Sequence, residues 1–121
     1  MDKLLAGRRG LVVEDEMLIL IMIEDMLADL GCESVSTAAT VSQALALIEP
    51  QIFDFAMLDM NLNGSNSYAV AEALAARNVP FIFSTGYSGN AIVDGFGDRI
   101  VLRKPFLEKE LANTLKRLLA L

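Results

Sequence analysis

Asp54-Phe55-Ala56-Met57-Leu58-Asp59-Met60-Asn61-Leu62-Asn63-Gly64 is the stretch whose reading decides the fold. Phe55 to Leu58 is a short apolar run with no polar face, the pattern of a strand covered on both sides. Asp59 ends that run, and Asn61, Asn63 and Gly64 are loop formers. A carboxylate at the C-terminal end of a central parallel strand lies where open α/β sheets place their ligands. The other residues of chemical interest also fall at strand ends: Glu14 and Asp15, Thr85, and Lys104.

Outward from this stretch, Arg9 to Val13 reads as a first strand and Met17 to Leu30 as a first helix, with Gly31 as its left-handed cap. Glu33 to Thr37 reads as a weak second strand. Val41 to Ile48 reads as a helix, with Thr40 as N-cap and Pro50 as the stop. A third helix, capped by Ser65 or Ser67, runs through Ala76 with Ala69, Ala73 and Ala76 on its packing face. Val79 to Ser84 is the fourth strand, and residues 85–90 form a loop. Ala91 to Asp98 is expected as a short helix, interrupted or bracketed by Gly89, Gly95 and Gly97. Ile100 to Leu102 is the fifth strand, and Phe106 to Leu119 the last helix, with Leu107, Leu111, Leu115, Leu118 and Leu119 at helical spacing. Five strands alternating with five helices predict parallel, right-handed connections and a three-layer doubly wound domain.

The totals, 121 residues, 54% apolar and 21% charged, lead to the expectation of one domain over residues 1–121, and the position of the last helix to the expectation of no effector domain. The net charge of −6 argues against nucleic acid and gives no attraction to acidic membranes. The first ten residues carry four charges and do not read as a signal peptide. The longest apolar run, Met17 to Ile23, is seven residues, far short of a membrane span. Cys32 is the one cysteine, which fits a reduced, cytoplasmic setting. There is no histidine, so the chain has no imidazole for base catalysis, zinc binding or a phosphohistidine.

In a parallel sheet Glu14, Asp15, Asp59, Thr85 and Lys104 share one edge. Three carboxylates there would raise one another's pKa values unless a cation joined them. Mg²⁺ suits such a set, since it takes one or two carboxylates, waters and a phosphate oxygen. Lys104 adds a point charge for a phosphoryl or carboxylate oxygen, and Thr85 adds a hydroxyl donor. With that neutralisation an aspartate can attack phosphorus, and Asp59 is the central candidate. Each residue alone has a plainer reading: Glu14 to Glu16 as a complement to a helix N-terminus, Asp59 and Thr85 as turn residues, and Lys104-Pro105 as a strand exit and helix start. Their joint order and placement favour the site. The methionines at 17, 22, 26, 57 and 60 read as core or gap filler.

These motifs resemble the receiver domain of bacterial two-component response regulators. The resemblance runs from about Arg8 to Leu119 and rests on VVEDE (12–16), AMLDMNLNG (56–64), FSTGY (83–87) and LRKPF (102–106). FSTGYS with LRKPF looks like the subgroup nicknamed FAT GUY, some members of which stand alone. The resemblance implies a flavodoxin-like (βα)5 fold with strand order 2-1-3-4-5. It implies Asp59 as phosphoacceptor, Asp15 as a direct Mg²⁺ ligand, Glu14 acting on the ion through water, and the backbone carbonyl of Asn61 as a further ligand. Thr85 would hydrogen-bond the phosphoryl group and Lys104 would pair with it, next to a cis Lys104-Pro105 peptide. The donor would be a sensor histidine kinase or a histidine phosphotransfer protein, and the chain no enzyme beyond self-phosphorylation and slow self-dephosphorylation.

Two departures from the pattern stand out. The aromatic switch position three places before the lysine is Val101 here, so Tyr87 with the glycine-rich 86–97 is expected to carry the response. The acidic pair is Glu-Asp where Asp-Asp is commoner. The first helix is apolar all round from Met17 to Ile23, unlike a surface helix with one apolar stripe. Either the rest of the chain buries it, or it is a docking face for a kinase helix bundle or a homodimer contact. The rival functions are a degenerate, binding-only receiver and a phosphohydrolase of the haloacid-dehalogenase type. The latter needs Asp-x-Asp on its first strand, whereas Asp59-Met60-Asn61 is on the third.

Overall fold

The computed structural model describes residues 3–62, 65–86 and 100–120. Arg9–Val13 forms β1, Ser34–Ala38 β2 and Phe55–Asp59 β3. Phe81–Thr85 forms a further long strand and Val101–Arg103 the last; between β3 and these, Asn61–Leu62 and Ser65–Asn66 make a small antiparallel pair. Numbered in chain order, that pair is β4 and β5, and the two later strands are β6 and β7. The five long strands are all parallel, in the order β2-β1-β3-β6-β7. Counted among themselves this is 2-1-3-4-5, as expected. The helices of the described residues are α1 (Met17–Asp29), α2 (Val41–Ile48), α3 (Tyr68–Ala76) and α4 (Glu108–Leu119). The expected helix over 91–98 lies outside the described residues.

Strict side-chain alternation on the central strands builds the two core layers. Leu11, Val13, Ala56, Leu58, Phe81 and Phe83 meet α2 and α3 on one face of the sheet. Val12, Phe55, Met57 and Ile82 meet α1 and α4 on the other, through Leu20, Ile23, Leu27, Leu111 and Leu115. Phe81 and Phe83 touch edge to face, with centroids 5.4 Å apart. Gly10 admits the close approach of a neighbour: a Cβ there would overlap the Phe55 ring.

Helix ends follow local chemistry. The Thr40 hydroxyl accepts from Gln43 N–H at 3.1 Å, as expected of an N-cap. Gly31, at φ +88°, closes α1 in the left-handed conformation. Asn78, at φ +59°, does the same after α3, and Val79 N–H returns to Leu74 O at 3.0 Å. That bond explains why β6 begins at Phe81 instead of the expected Val79. Val79 N–H is spent on the helix, and Pro80 has none to give. The last helix begins at Glu108, two residues later than expected. Phe106 is buried in the core, and Leu107 N–H donates to the Glu110 carboxylate at 2.9 Å. Pro105 therefore lies ahead of the helix, beyond a cis peptide with Lys104.

Three other expectations are corrected. The buried face of α3 is Val70, Ala71 and Leu74, while Ala69 and Ala76 are exposed. Ser67 is the N-cap residue of α3, but its hydroxyl is buried without a hydrogen-bond partner and does not cap the helix. The polar-looking start of the chain is also part of the core. Leu5 is fully buried, Leu5 N–H donates to Leu30 O, Ala6 bridges Cys32, and Lys3 Nζ reaches Asp29 O at 3.0 Å. This strap runs beneath the C-terminal end of α1.

Candidate functional site

Four parallel strands deliver the site residues to one edge of the sheet. Glu14 and Asp15 follow β1, Asp59 ends β3, Thr85 ends β6, and Lys104 follows β7. The frame beneath them is main chain. Glu14 N–H donates to Ala38 O, Met60 N–H to Ser84 O and Lys104 N–H to Thr85 O, at 2.8–3.0 Å. Glu14, Asp59 and Thr85 are buried, and Asp15 is half-buried.

Oxygens of Glu14, Asp15 and Asp59 lie within 4.8 Å of one another. Lys104 Nζ joins two of them, 2.9 Å from Glu14 Oε1 and 3.1 Å from Asp59 Oδ2. The second oxygen of Glu14 accepts from Glu16 N–H at 3.1 Å. Burial pushes the Glu14 carboxyl up from its ordinary 4.5 to about 7. Lys104 and Glu16 N–H hold it back, and Asp59 adds to the rise. Desolvation is thus the first cause, where the sequence suggested mutual repulsion of carboxylates. Burial also pulls the Lys104 ammonium down, but its bond to Glu14 and the charge of Asp59 outweigh this and hold it above its usual range. Three carboxylates against one ammonium leave net negative charge in a mostly buried cluster. That donor set is all oxygen and suits a hard divalent cation.

The expected residues Glu14, Asp15, Asp59, Thr85 and Lys104 therefore come together. Asn61 lies two residues past Asp59 and pairs with Asn66 across β4 and β5. Val101 is exposed at the start of β7, in register with Phe83. Tyr87 lies outside the described residues. The direct Glu14–Lys104 contact was not foreseen. It joins residues 90 apart in the chain, and no local spacing signals it.

Beside the pocket, α1 keeps Met17 (65% exposed), Leu18 (84%) and Ile21 (47%) in solvent. On its other side the described part of the chain buries Leu20, Ile23 and Leu27 and partly covers Ile19 and Met26. Met17 is thus no core filler, whereas Met57 and Met60 are. Cys32 lies near the strap. Its S–H donates to Arg8 O or Ser34 O at 3.3 Å, and burial pushes the thiol pKa up.

The family model for the response regulator receiver domain matches residues 11–116. The chain belongs to this family. Receiver domains are signalling domains that meet histidine kinases or phosphotransfer proteins. SdrG from Sphingomonas melonis Fr1 is a solved relative, 48% identical, with a TM-score of 0.83, covering 93% of this chain and 96% of that one. The BeF3-activated conformation of SdrG, from Pseudomonas melonis Fr1, gives 47% and 0.81, covering 94% of this chain and 98% of that one. The receiver domain of the sensor histidine kinase PA1611 from Pseudomonas aeruginosa PAO1 is 28% identical with a TM-score of 0.76. It covers 96% of this chain and 100% of that one, and it was solved with a magnesium ion coordinated in its active site cleft. The sensory transduction protein LytT of Bacillus subtilis (strain 168) is 30% identical over 113 residues, 90% of this chain and 47% of LytT. The receiver thus spans about half the length of the curated relatives it matches. Among the described residues, no helix is long and apolar enough to cross a membrane.

Proposed function

We propose that this receiver is a phosphoacceptor switch, which takes a phosphoryl group from a phosphohistidine onto Asp59 and changes its partner binding in consequence. The observation that carries the reading is the cluster of Glu14, Asp15 and Asp59 within 4.8 Å, with Lys104 bonded to two of them. In the transfer, an Asp59 oxygen forms a bond to phosphorus. The bond from phosphorus to the donor's imidazole nitrogen breaks, and its electron pair stays on that nitrogen. The donor is a sensor histidine kinase or a histidine phosphotransfer protein, which fits a chain with no histidine of its own. Lys104 pairs with a phosphoryl oxygen, and the Thr85 hydroxyl donates to another.

Mg²⁺ fits the oxygen donors. Asp15, Asp59 and the carbonyl of Asn61 would hold it, with Glu14 reaching it through water. When bound, it neutralises charge on the phosphoryl oxygens. The magnesium held by the PA1611 receiver and the BeF3-activated form of SdrG support both parts of the reading.

The exposed Met17, Leu18 and Ile21, just after the acidic pair, form the docking face for the phosphodonor. The same face is the candidate for a homodimer contact. With Val101 in the aromatic position, Tyr87 and the segment 86–97 carry the response in this reading. The setting is cytoplasmic, and the net charge of −6 speaks against nucleic acid as a partner. No observation favours a binding-only receiver or a phosphohydrolase.

Intact mass after incubation with Mg²⁺ and acetyl phosphate tests the reading. One phosphoryl group on wild type, none on Asp59→Asn, and loss in hydroxylamine are expected. Equal addition to both proteins overturns Asp59 as the acceptor. No addition, with no amide-spectrum response to Mg²⁺ and beryllofluoride, overturns the switch itself.

A further inference from the structure

We infer that Ser67 is a hinge with a stored helix cap: its hydroxyl is orphaned in this structure and turns to the Val70 N–H when the main chain past Asp59 shifts on phosphorylation. The inference rests on the proposed phosphorylation of Asp59 as its trigger. Ser67 is fully buried, and its Oγ has no hydrogen-bond partner. Its backbone, at φ −93° and ψ 20°, is not in the extended conformation of a capping residue. Thr40 shows the completed version in the same chain. At φ −135° and ψ 163° its hydroxyl accepts from the N–H three residues on, Gln43, at 3.1 Å. The equivalent donor on α3 is Val70, third in the helix, whose N–H has no acceptor within the helix.

The bond that keeps Ser67 uncapped is weak. Met60 precedes β4 and Ser67 follows β5, and Ser67 N–H donates to Met60 O across the mouth of that pair at 3.4 Å. This is longer than an ordinary N–H···O bond. On its other side Met60 is fixed. Its N–H donates to Ser84 O on β6 at 3.0 Å, and its side chain lies in the core cluster that holds Leu62, Val70 and Leu74. Met60 is also the first residue past Asp59. The proposed function turns the chain from Asp59 to Asn61 toward a phosphoryl group and a cation. A shift there is resisted by the β6 bond on one side and the long Ser67 bond on the other, and the weaker one gives. Ser67 is then free to turn about ψ, and the extended value brings its hydroxyl onto Val70 N–H. One weak bond is lost, a cap is made, and a buried hydroxyl is satisfied. Against that gain stands the packing of Leu62, 3% exposed, which the closed pair holds in the core. Opposed terms of this kind leave two arrangements close in free energy, as a switch requires. The β4–β5 pair starts two residues past Asp59, so its release alters the surface that a partner meets.

Ser67→Ala removes the hydroxyl with the least change in shape, and the pair Ser67→Thr and Ser67→Val match in shape but differ in the hydroxyl. In the free protein Ser67→Ala deletes an orphan, so it should unfold at a higher urea concentration than wild type. With Mg²⁺ and beryllofluoride bound it deletes a cap, so the order should reverse. In wild type the Val70 amide proton should then move downfield and exchange about fivefold more slowly, the scale of one N-cap. Ser67→Thr should keep this response, and Ser67→Ala and Ser67→Val should lose it. A Val70 amide that stays in place while the rest of the pocket responds, or that responds equally in Ser67→Ala, overturns the inference. So does a stability order that is the same with and without beryllofluoride, the mark of a plain core position. If no amide of wild type responds, the proposed function fails instead. Millisecond exchange at Val70 in the free protein then decides this inference. Exchange present in wild type and absent in Ser67→Ala supports the stored cap, and its absence from both, or its presence in both, overturns it.

Discussion

The backbone N–H of Lys104 donates to the carbonyl oxygen of Thr85 at 2.8 Å. The last bond of the β6–β7 ladder thus carries the two residues proposed to hold the phosphoryl group. Their spacing is set by main chain, and either side chain can be altered without loosening the frame.

Thr85→Ala follows from this. The hydroxyl is buried, so its loss costs about 1 kcal/mol in urea unfolding. Asp59 should still take the phosphoryl group. The change in amide exchange across 86–97 on addition of beryllofluoride should be lost. An unaltered exchange response would remove Thr85 from the signalling path.

The pH dependence of stability isolates Glu14. Its folded pKa is raised from 4.5 to about 7, so the folded state binds this proton more tightly than the unfolded state. Its contribution is fully present below about pH 4.5 and is lost as pH rises through about 7. Glu14→Gln cannot titrate. The melting temperature of metal-free wild type relative to Glu14→Gln should therefore fall from pH 5 to pH 8, and a rise would mean that the group is not held protonated by burial.

Leu18→Glu separates docking from chemistry. At 84% exposure the change should alter stability by about 0.5 kcal/mol or less. Phosphorylation by acetyl phosphate should be unaffected, while transfer from a histidine-phosphorylated donor slows. A sedimentation series on the same variant reads self-association. Equal transfer rates and equal sedimentation would leave the α1 face without a partner.

Gly10→Ala tests the sheet behind the pocket. The new methyl group overlaps the fully buried Phe55 ring, and such overpacking costs about 1–3 kcal/mol. In a Phe55→Leu background the same change should cost less, because the two positions share one volume. Additive costs in chemical denaturation would mean that the ring is not the obstacle.

Much of the frame was legible in the sequence because the two central strands are buried on both faces. Such strands stand out as Leu11-Val12-Val13 and Phe55 to Leu58 between polar residues. The bounds of β1 and α2, and the Thr40 cap, were readable for the same local reasons. Errors arose where a distant partner decides. Leu5 looked like part of a charged leader, yet α1 closes over it. The alanines of α3 looked like a packing stripe, but Val70 and Leu74 turn that helix the other way. At the site, residue identity was readable and geometry was not. Which carboxylate holds Lys104 depends on side-chain reach across two strands.

The strap of residues 3–8 has a practical consequence. It enters at the N-terminal ends of β1 and β2, and the length of β1, roughly 16 Å for five residues, separates it from the acidic pocket. A linker joined ahead of Lys3 therefore leaves from the opposite pole of the molecule. Protein tethered to a sensor surface by that linker would present its pocket and the first turn of α1 outward, oriented for a donor arriving from solution.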